Sequence, residues 1–278
     1  MNVLVSLYKG YGLGDAVQMS VVLRHIQKYR PDWQVDFQAE EGREVIARGL
    51  CANFFRYGQA YPTPHYDAEV QLILYETFAG WTDRPNTRAA SCLHERFGMA
   101  WDAECGRYQV NVSANVADWA RTYVGRGHVA FHYEGVTAKD KKDLTAQQAQ
   151  SIIKEIGKQG RKSYVLGPRS PFGLAHDAEA NTAVIAQCEA FIGIDSGPAK
   201  CASATETPSL VIWTGHHPAF YHDPTPNTTH LVPHGYHNMY PVCGNKSVIE
   251  WFEKHYNIIE YENDPMPIVG VWLRRVLR

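Results

Sequence analysis

The sequence predicts an α/β protein of two Rossmann-like domains whose parallel sheets face a central cleft. Three observations lead there. Short β-branched runs alternate with stretches of helical period along most of the chain. The 278 residues exceed one average domain and suit two of roughly 120–150 residues. Gly125 and Gly127 interrupt the alternation near its middle, which sets a first domain over 1–125, a second over 126–262 and a terminal segment over 263–278.

Taken in order, "NVLVSLY" is apolar without helical period and reads as a buried strand. "KGYGLG" breaks it. Ala16, Val17, Met19, Val22, Leu23 and Ile26 then fall at helical spacing, and Pro31 closes the helix. "WQVDFQA" is a strand, "GREVIARGL" a short helix and "EVQLILY" a strand. "SCLHERFGM" and "VADWARTYV" are helices. The second series runs "HVAFHY" as strand, "TAQQAQSIIKEIGKQG" as helix with Thr145 its N-cap, and "KSYVLG" as strand. "NTAVIAQCE" is a helix, "AFIGI" a strand, "AKCASATE" a helix and "PSLVIW" a strand. "SVIEWFEKHY" and the amphipathic "IVGVWLRRVLR" are the last helices. The segment "WTGHHPAFYHDPTPNTTHLVPHGYHNMYP" before "SVIEWFEKHY" reads as long and irregular because Pro and Gly punctuate it.

Composition narrows the function. Hydrophobic residues make up 45% and charged residues 20%, as a chain with a proper core requires. The net charge of −2 gives no general basic field, so non-specific nucleic-acid binding is not favoured, although the balance leaves room for a local basic patch. Cysteines 51, 92, 105, 188, 201 and 243 form no Cys-x-x-Cys pair, so reduced thiols in a cytoplasmic protein are expected. "MNVLVSLYKG" lacks the basic start and apolar length of a signal peptide, and no run reaches the length of a membrane span.

In sheets of this kind, ligands bind in loops at the carboxyl ends of strands. Two such loops carry the chemistry. After "AFIGI", Asp195 ends the strand, Ser196 suits an N-cap, Gly197 permits close backbone approach to a ligand, and Pro198 suits a first helical position. The free amides there favour an anion, with a diphosphate the evident candidate. Asp195 itself would repel phosphate and suits sugar hydroxyls or a nearby cation. In the first loop, Gly10 and Gly12 begin a G-x-G-x-x-G pattern whose third glycine position holds Asp15, and a nicotinamide dinucleotide is disfavoured. Gly12 and Gly14 still allow a tight loop, and Asp15 at a helix N-terminus is a candidate general base. Lys139, Lys141 and Lys142, after the second domain's first strand, can neutralise diphosphate oxygens. Histidines 216, 217, 222, 230, 234 and 237 form no helical i, i+4 metal pair, and His216 and His217 follow a strand end and are the candidates to reach the cleft. No Asp-x-Asp occurs, so no obligatory metal is expected.

Three stretches together resemble the heptosyltransferase-type glycosyltransferases of family 9, which have the GT-B fold. They are "GLGDAVQMSVVLRHIQKYRPDWQVDF", "LHERFGM" and "NTAVIAQCEAFIGIDSGPAKCASATETPSLVIWTGHHP". The resemblance covers both ends of the chain in order. It implies Asp15 as catalytic base, Ser196 and Gly197 as donor-diphosphate contacts, and Asp195 as a donor-sugar contact. A lysine of the second-domain loop binds donor phosphate in the family; Lys141 or Lys142 matches, with Lys141 preferred. Where the family has histidine after the signature proline, this chain has Lys200, and where it has His-Pro-Gly, this chain reads "FHYEG" with Glu134 in the loop. Lys200 would present a cation near phosphate; Glu134 would touch donor or acceptor, or cap.

The implied reaction is inverting transfer of a sugar from a nucleotide-diphosphate donor to a saccharide, glycolipid or other hydroxyl acceptor. The nucleotide sugar is co-substrate, and no other cofactor is expected. The resemblance also implies that the terminal helix packs back on the first domain and that membrane contact is at most peripheral, at the inner face. Two rival readings remain: a nucleotide-sugar epimerase or hydrolase on the same fold, and a non-catalytic nucleotide- or glycan-binding module.

Overall fold

Two all-parallel sheets organise the chain, seen in a computed structural model that describes residues 1–59, 65–73, 87–136, 142–167, 177–239 and 246–278. The first sheet has the order β3-β2-β1-β4, from β1 (Asn2–Leu7), β2 (Gln34–Ala39), β3 (Asn53–Arg56) and β4 (Ala68–Leu72). Its helices are α1 (Leu13–Tyr29), α2 (Glu44–Ala47) and α3 (Arg88–Phe97). α4 (Ala114–Val124) follows. The second sheet has the order β10-β9-β8-β7-β5-β6. Its strands are β5 (His128–His132), β6 (Lys162–Val165), β7 (Ala190–Ile194), β8 (Ser209–Ile212), β9 (Thr228–Pro233) and β10 (Asn257–Tyr261). Between them run α5 (Ala146–Lys158), α6 (Ala178–Gln187), α7 (Gly197–Ser203), α8 (Pro218–Tyr221) and α9 (Lys246–His255), and α10 (Met266–Val276) ends the chain.

Strands buried on both faces read as continuous apolar runs. In β1, Val3, Val5 and Leu7 are buried, and so is Leu4. The two-residue period divides the second sheet's faces: Val129 and Phe131 enter one core, while Ala130 between them enters the other. That other core also holds Val3, Val5 and Phe37 of the first sheet, so one apolar interior runs through both lobes. α1 packs against α7, and α4 packs against α6. Thr145 caps α5 as expected: its hydroxyl accepts the Gln148 N–H at 3.2 Å.

Two expectations need correction. The terminal helix does not return to the first lobe. Val269, Trp272 and Leu273 recur at one-turn spacing and share a core with Ile152 and Ile156 of α5. At Gly270 an added Cβ would stand 3.3 Å from Glu155 Oε2, so the helix lies close on α5. The His- and Pro-rich segment is not irregular throughout. It contains α8 and β9, and β9 pairs on both edges with β8 and β10.

Both sheets reverse their order of winding at a point that fixes the cleft. In the first sheet the chain leaves β1 toward β2 and β3, then returns to β4 on the other side. In the second it leaves β5 toward β6, then returns to β7 on the other side. Such reversals open a crevice beyond the strands' carboxyl ends.

Candidate active site

The two crevices meet in one cavity of about 530 Å³, within the range of ligand sites. Of the residues expected from sequence, Gly12, Gly14, Asp15, Lys142, Asp195, Ser196, Gly197, Pro198, Lys200 and His216 line it. Lys139 and Lys141 lie outside the described residues. Among the described lysines of that loop, Lys142 reaches the site. Glu134 is a correction: it lies outside the cavity lining, on the chain just before Gly135 and Val136, which do line it. His217 is another. It is 3% exposed, stacks on Tyr236 at 5.2 Å, and caps α8 by accepting the Ala219 N–H at 3.1 Å. Its neighbour His216 alone of the two faces the cavity.

Asp15 is the third residue of α1. Its Oδ2 accepts the Gly12 N–H at 3.2 Å, which ties the carboxylate over the helix start. Its Oδ1 accepts from Arg88 Nη1 at 3.3 Å. The side chain keeps 29% exposure, so a reactant can approach it.

Asp195, at the end of β7, sits in a different setting. It is 4% exposed. Lys200 Nζ stands 3.3 Å from Oδ1, His216 Nδ1 is 3.3 Å from Oδ2, and Lys142 Nζ is 3.9 Å from Oδ2. Burial alone would raise its carboxyl; the Lys200 charge, the His216 hydrogen bond and the Lys142 charge overcome that and hold it well below the usual carboxylate range. Ser196 begins α7: its Oγ accepts the Ala199 N–H at 3.4 Å and donates to the Ile194 carbonyl at 3.0 Å. Gly197 is required by packing rather than by a ligand alone. A Cβ there would stand 2.8 Å from Leu13 Cβ, and one on Gly14 would stand 3.4 Å from the Gly197 backbone. The two glycine loops let the lobes touch.

Eight lining residues escaped the sequence reading, among them Arg43, Arg88, His132 and Tyr221. His132, at the end of β5, is 3% exposed, and its Nδ1 has no hydrogen-bond partner among the described residues. Burial, with the Lys142 charge adding to it, pushes its imidazole down to about 4, so it is neutral at neutral pH. Its position ending "HVAFH" was the available signal. Arg88 and Tyr221 had none in local sequence, because the lobes bring them together: the guanidinium carbon lies 4.3 Å from the Tyr221 ring centroid and 4.8 Å from that of Phe220. Arg43, Arg88, Lys142 and Lys200 oppose Asp15 and Asp195 in the lining, so the cavity carries an excess of positive charge in a chain whose net charge is −2.

The fold is GT-B. Solved glycosyltransferases superpose over most of the chain. A family 9 glycosyltransferase from Veillonella parvula aligns with a TM-score of 0.62 at 12% identity, covering 91% of this chain and 96% of that one. The Escherichia coli ADP-heptose lipopolysaccharide heptosyltransferase II aligns with a TM-score of 0.58 at 14% identity, covering 91% and 98%. The E. coli iron-containing dodecameric glycosyltransferase TibC aligns with a TM-score of 0.60 at 16% identity, covering 81% of this chain and 63% of that one. No protein-family model and no curated protein matches the sequence. No described helix is long and apolar enough to cross a membrane, and no group of three or more described His, Cys, Asp or Glu converges to hold a metal ion.

Proposed function

We propose that the protein is an inverting, heptosyltransferase-like glycosyltransferase that moves a sugar from a nucleoside-diphosphate donor to a hydroxyl acceptor. One observation carries the reading: Asp15, the one accessible carboxylate among the described lining residues, shares a cavity with the second lobe's Lys142, Lys200 and α7 amides. Asp15 takes the proton of the acceptor hydroxyl, and the hydroxyl oxygen bonds to the anomeric carbon from one face. The carbon–oxygen bond to the diphosphate breaks on the other face, and the diphosphate leaves with the electron pair. Lys142, Lys200 and the Ser196 and Gly197 amides stabilise that charge, at about 3–4 kcal/mol for each preorganised donor. Asp195 keeps the two lysines and His216 gathered at the leaving group.

The solved neighbours suggest the donor to try first. One was determined as E. coli heptosyltransferase WaaC with ADP, and another as TibC with ADP-D-β-D-heptose. An adenosine-diphosphate sugar is therefore our first candidate, with a saccharide or glycolipid acceptor. We further propose that no metal is obligatory, since lysines occupy the place where a metal would neutralise diphosphate; the iron of TibC makes this a point to test. An epimerase or hydrolase would need a second acid/base in the cavity. Glu134 lies outside it, His216 is engaged by Asp195, and His132 is 3% exposed and lowered by burial to about 4, which leaves it a weak base. A pure binding module leaves the accessible carboxylate without a task.

The test is to incubate the protein with a panel of nucleotide sugars, with and without acceptor glycans, and to follow free nucleoside diphosphate before and after chelator treatment. Acceptor-dependent release, surviving the chelator, is the expected result. Binding without release overturns the transferase reading. Release independent of acceptor points to a hydrolase, and loss on chelation overturns metal independence.

A further inference from the structure

We propose that Arg88 is a positioning residue for Asp15, held in place by Phe220 and Tyr221 of the opposite lobe. The inference rests on the reading of Asp15 as the base. An arginine in a ligand cavity ordinarily binds an anion or fixes a carboxylate. Here Nη1 lies 3.3 Å from Asp15 Oδ1, and the Arg88 side chain is 14% exposed. With Gly12 holding Oδ2, both oxygens of the carboxylate are restrained, and each keeps a lone pair for an acceptor hydroxyl. The guanidinium in turn sits against the Tyr221 and Phe220 rings, a cation–π arrangement supplied entirely by α8. Its Nε is buried and without a hydrogen-bond partner among the described residues. A buried unsatisfied N–H is a poor device for stability, so a stability role does not account for this placement.

A second set of contacts fixes the same elements. Thr87 caps α3, which Arg88 opens, by accepting the Ala90 N–H at 3.1 Å. Its hydroxyl also donates to Asp223 Oδ1 at 2.6 Å, and Gln18 of α1 donates to Asp223 Oδ2 at 3.2 Å. Residues 220–223 of the second lobe thus touch both the helix carrying Arg88 and the helix carrying Asp15. Tyr221 also stacks on His216 at 4.4 Å, and His216 bonds Asp195. An unbroken line of contacts joins the carboxylate of the cation set to the carboxylate of the base. The first lobe contributes the base, and the second lobe sets its orientation.

The experiment compares Arg88→Met, Arg88→Lys, Tyr221→Leu, the double variant Arg88→Met/Tyr221→Leu and Asp15→Asn. It measures kcat and KM with the nucleotide sugar that the wild type turns over, and Kd for ADP. Arg88→Met should lower kcat about 100-fold, as a misplaced reactive group does, with the Kd for ADP changed by less than about twofold. Arg88→Lys should recover part of kcat, and it carries the test if Arg88→Met does not fold. The double variant should be no slower than Arg88→Met, because Tyr221 acts through Arg88. Weakened ADP binding with kcat intact would make Arg88 an anion contact and overturn the proposal. So would independent, multiplying losses in the double variant. If Asp15→Asn turns over normally, the base reading itself fails; if Asp15→Asn is inactive while Arg88→Met is unaffected, only the positioning role fails.

Discussion

Asp15 and Asp195 occupy matching places in the two lobes, each beside a strand–loop–helix corner at a reversal of sheet order, yet their surroundings differ throughout. Asp15 lies inside its helix, keeps 29% side-chain exposure and meets one cation. Asp195 precedes its helix, keeps 5%, and meets Lys200, Lys142 and His216. A carboxylate that stays accessible can exchange a proton with a reactant. One enclosed by cations instead fixes where those cations sit. On the proposed reading, the same residue type does two kinds of work, set apart by exposure and by the cations around it.

Substituting each carboxylate by its amide should break the symmetry most sharply. Asp15→Asn should reduce kcat by up to about 10⁴-fold, the contribution of a general base, while ADP titration gives near wild-type affinity. Loss of ADP binding with turnover retained would reverse the assignment. Asp195→Asn should act on stability instead. It leaves Lys200 and Lys142 beside a neutral group, and Lys200 is 4% exposed. Breaking a buried pair in this way costs about 3–5 kcal/mol, to be read from urea unfolding. Equal midpoints for the two variants would mean that enclosure does not separate the carboxylates.

Acidification should divide the lobes next. His132, His217 and His222 are held neutral at about 4, 3 and 3, mainly by burial, and His230 is held well below the ordinary value by burial. All four belong to the second lobe, whereas the first has one such group, His25 of α1, also lowered mainly by burial. Their folded-state values lie below the unfolded one, so the unfolded chain binds more protons between about pH 6.5 and 4. Stability is complete above that window and falls as pH drops into it, by about 1.4 kcal/mol per histidine at pH 5.5. Asp223 opposes this. Burial raises it to about 6, against its hydrogen bonds, so the folded state takes up a proton first there. Four groups outweigh one. Amide hydrogen exchange at pH 7.5 and 5.5 should show protection lost first in β5, β8 and β9 and later in β1 and β2. Simultaneous loss would show that the shared core binds the lobes into one cooperative unit.

What could be read in advance follows the range of the interactions. Apolar runs and one-turn periods are local, so the parallel alternation, the Thr145 cap and the loops bearing Asp15 and Asp195 were legible. β9 was hidden because "TTHLVP" places His230 in the strand, where burial among Trp213, His222 and Tyr256 replaces the usual apolar pattern. α10 was recognisable as an amphipathic helix, but amphipathicity names a face and not its partner, and α5 was that partner. Arg88 and Tyr221 were illegible because their meaning arises between lobes. At Gly197 the sequence shows only that a side chain is missing, whereas the structure shows Leu13 filling the space.

That contact supplies the mildest test of the comparison between lobes. Gly197→Ala puts a methyl group 2.8 Å from Leu13 Cβ and 2.9 Å from its Cγ. Gly197 is not at a positive φ, so the effect is one of space rather than backbone strain. Overpacking of this kind costs about 1–3 kcal/mol. If the glycine serves the seam between α1 and α7, the Gly197→Ala/Leu13→Ala double variant should lose less stability than the two single variants summed, because Leu13→Ala removes Cγ and Cδ2 from the clash. ADP affinity should show the same less-than-additive loss. If the glycine serves backbone approach to the diphosphate instead, the added methyl obstructs the ligand whatever Leu13 becomes, and ADP binding should stay as weak in the double variant as in Gly197→Ala.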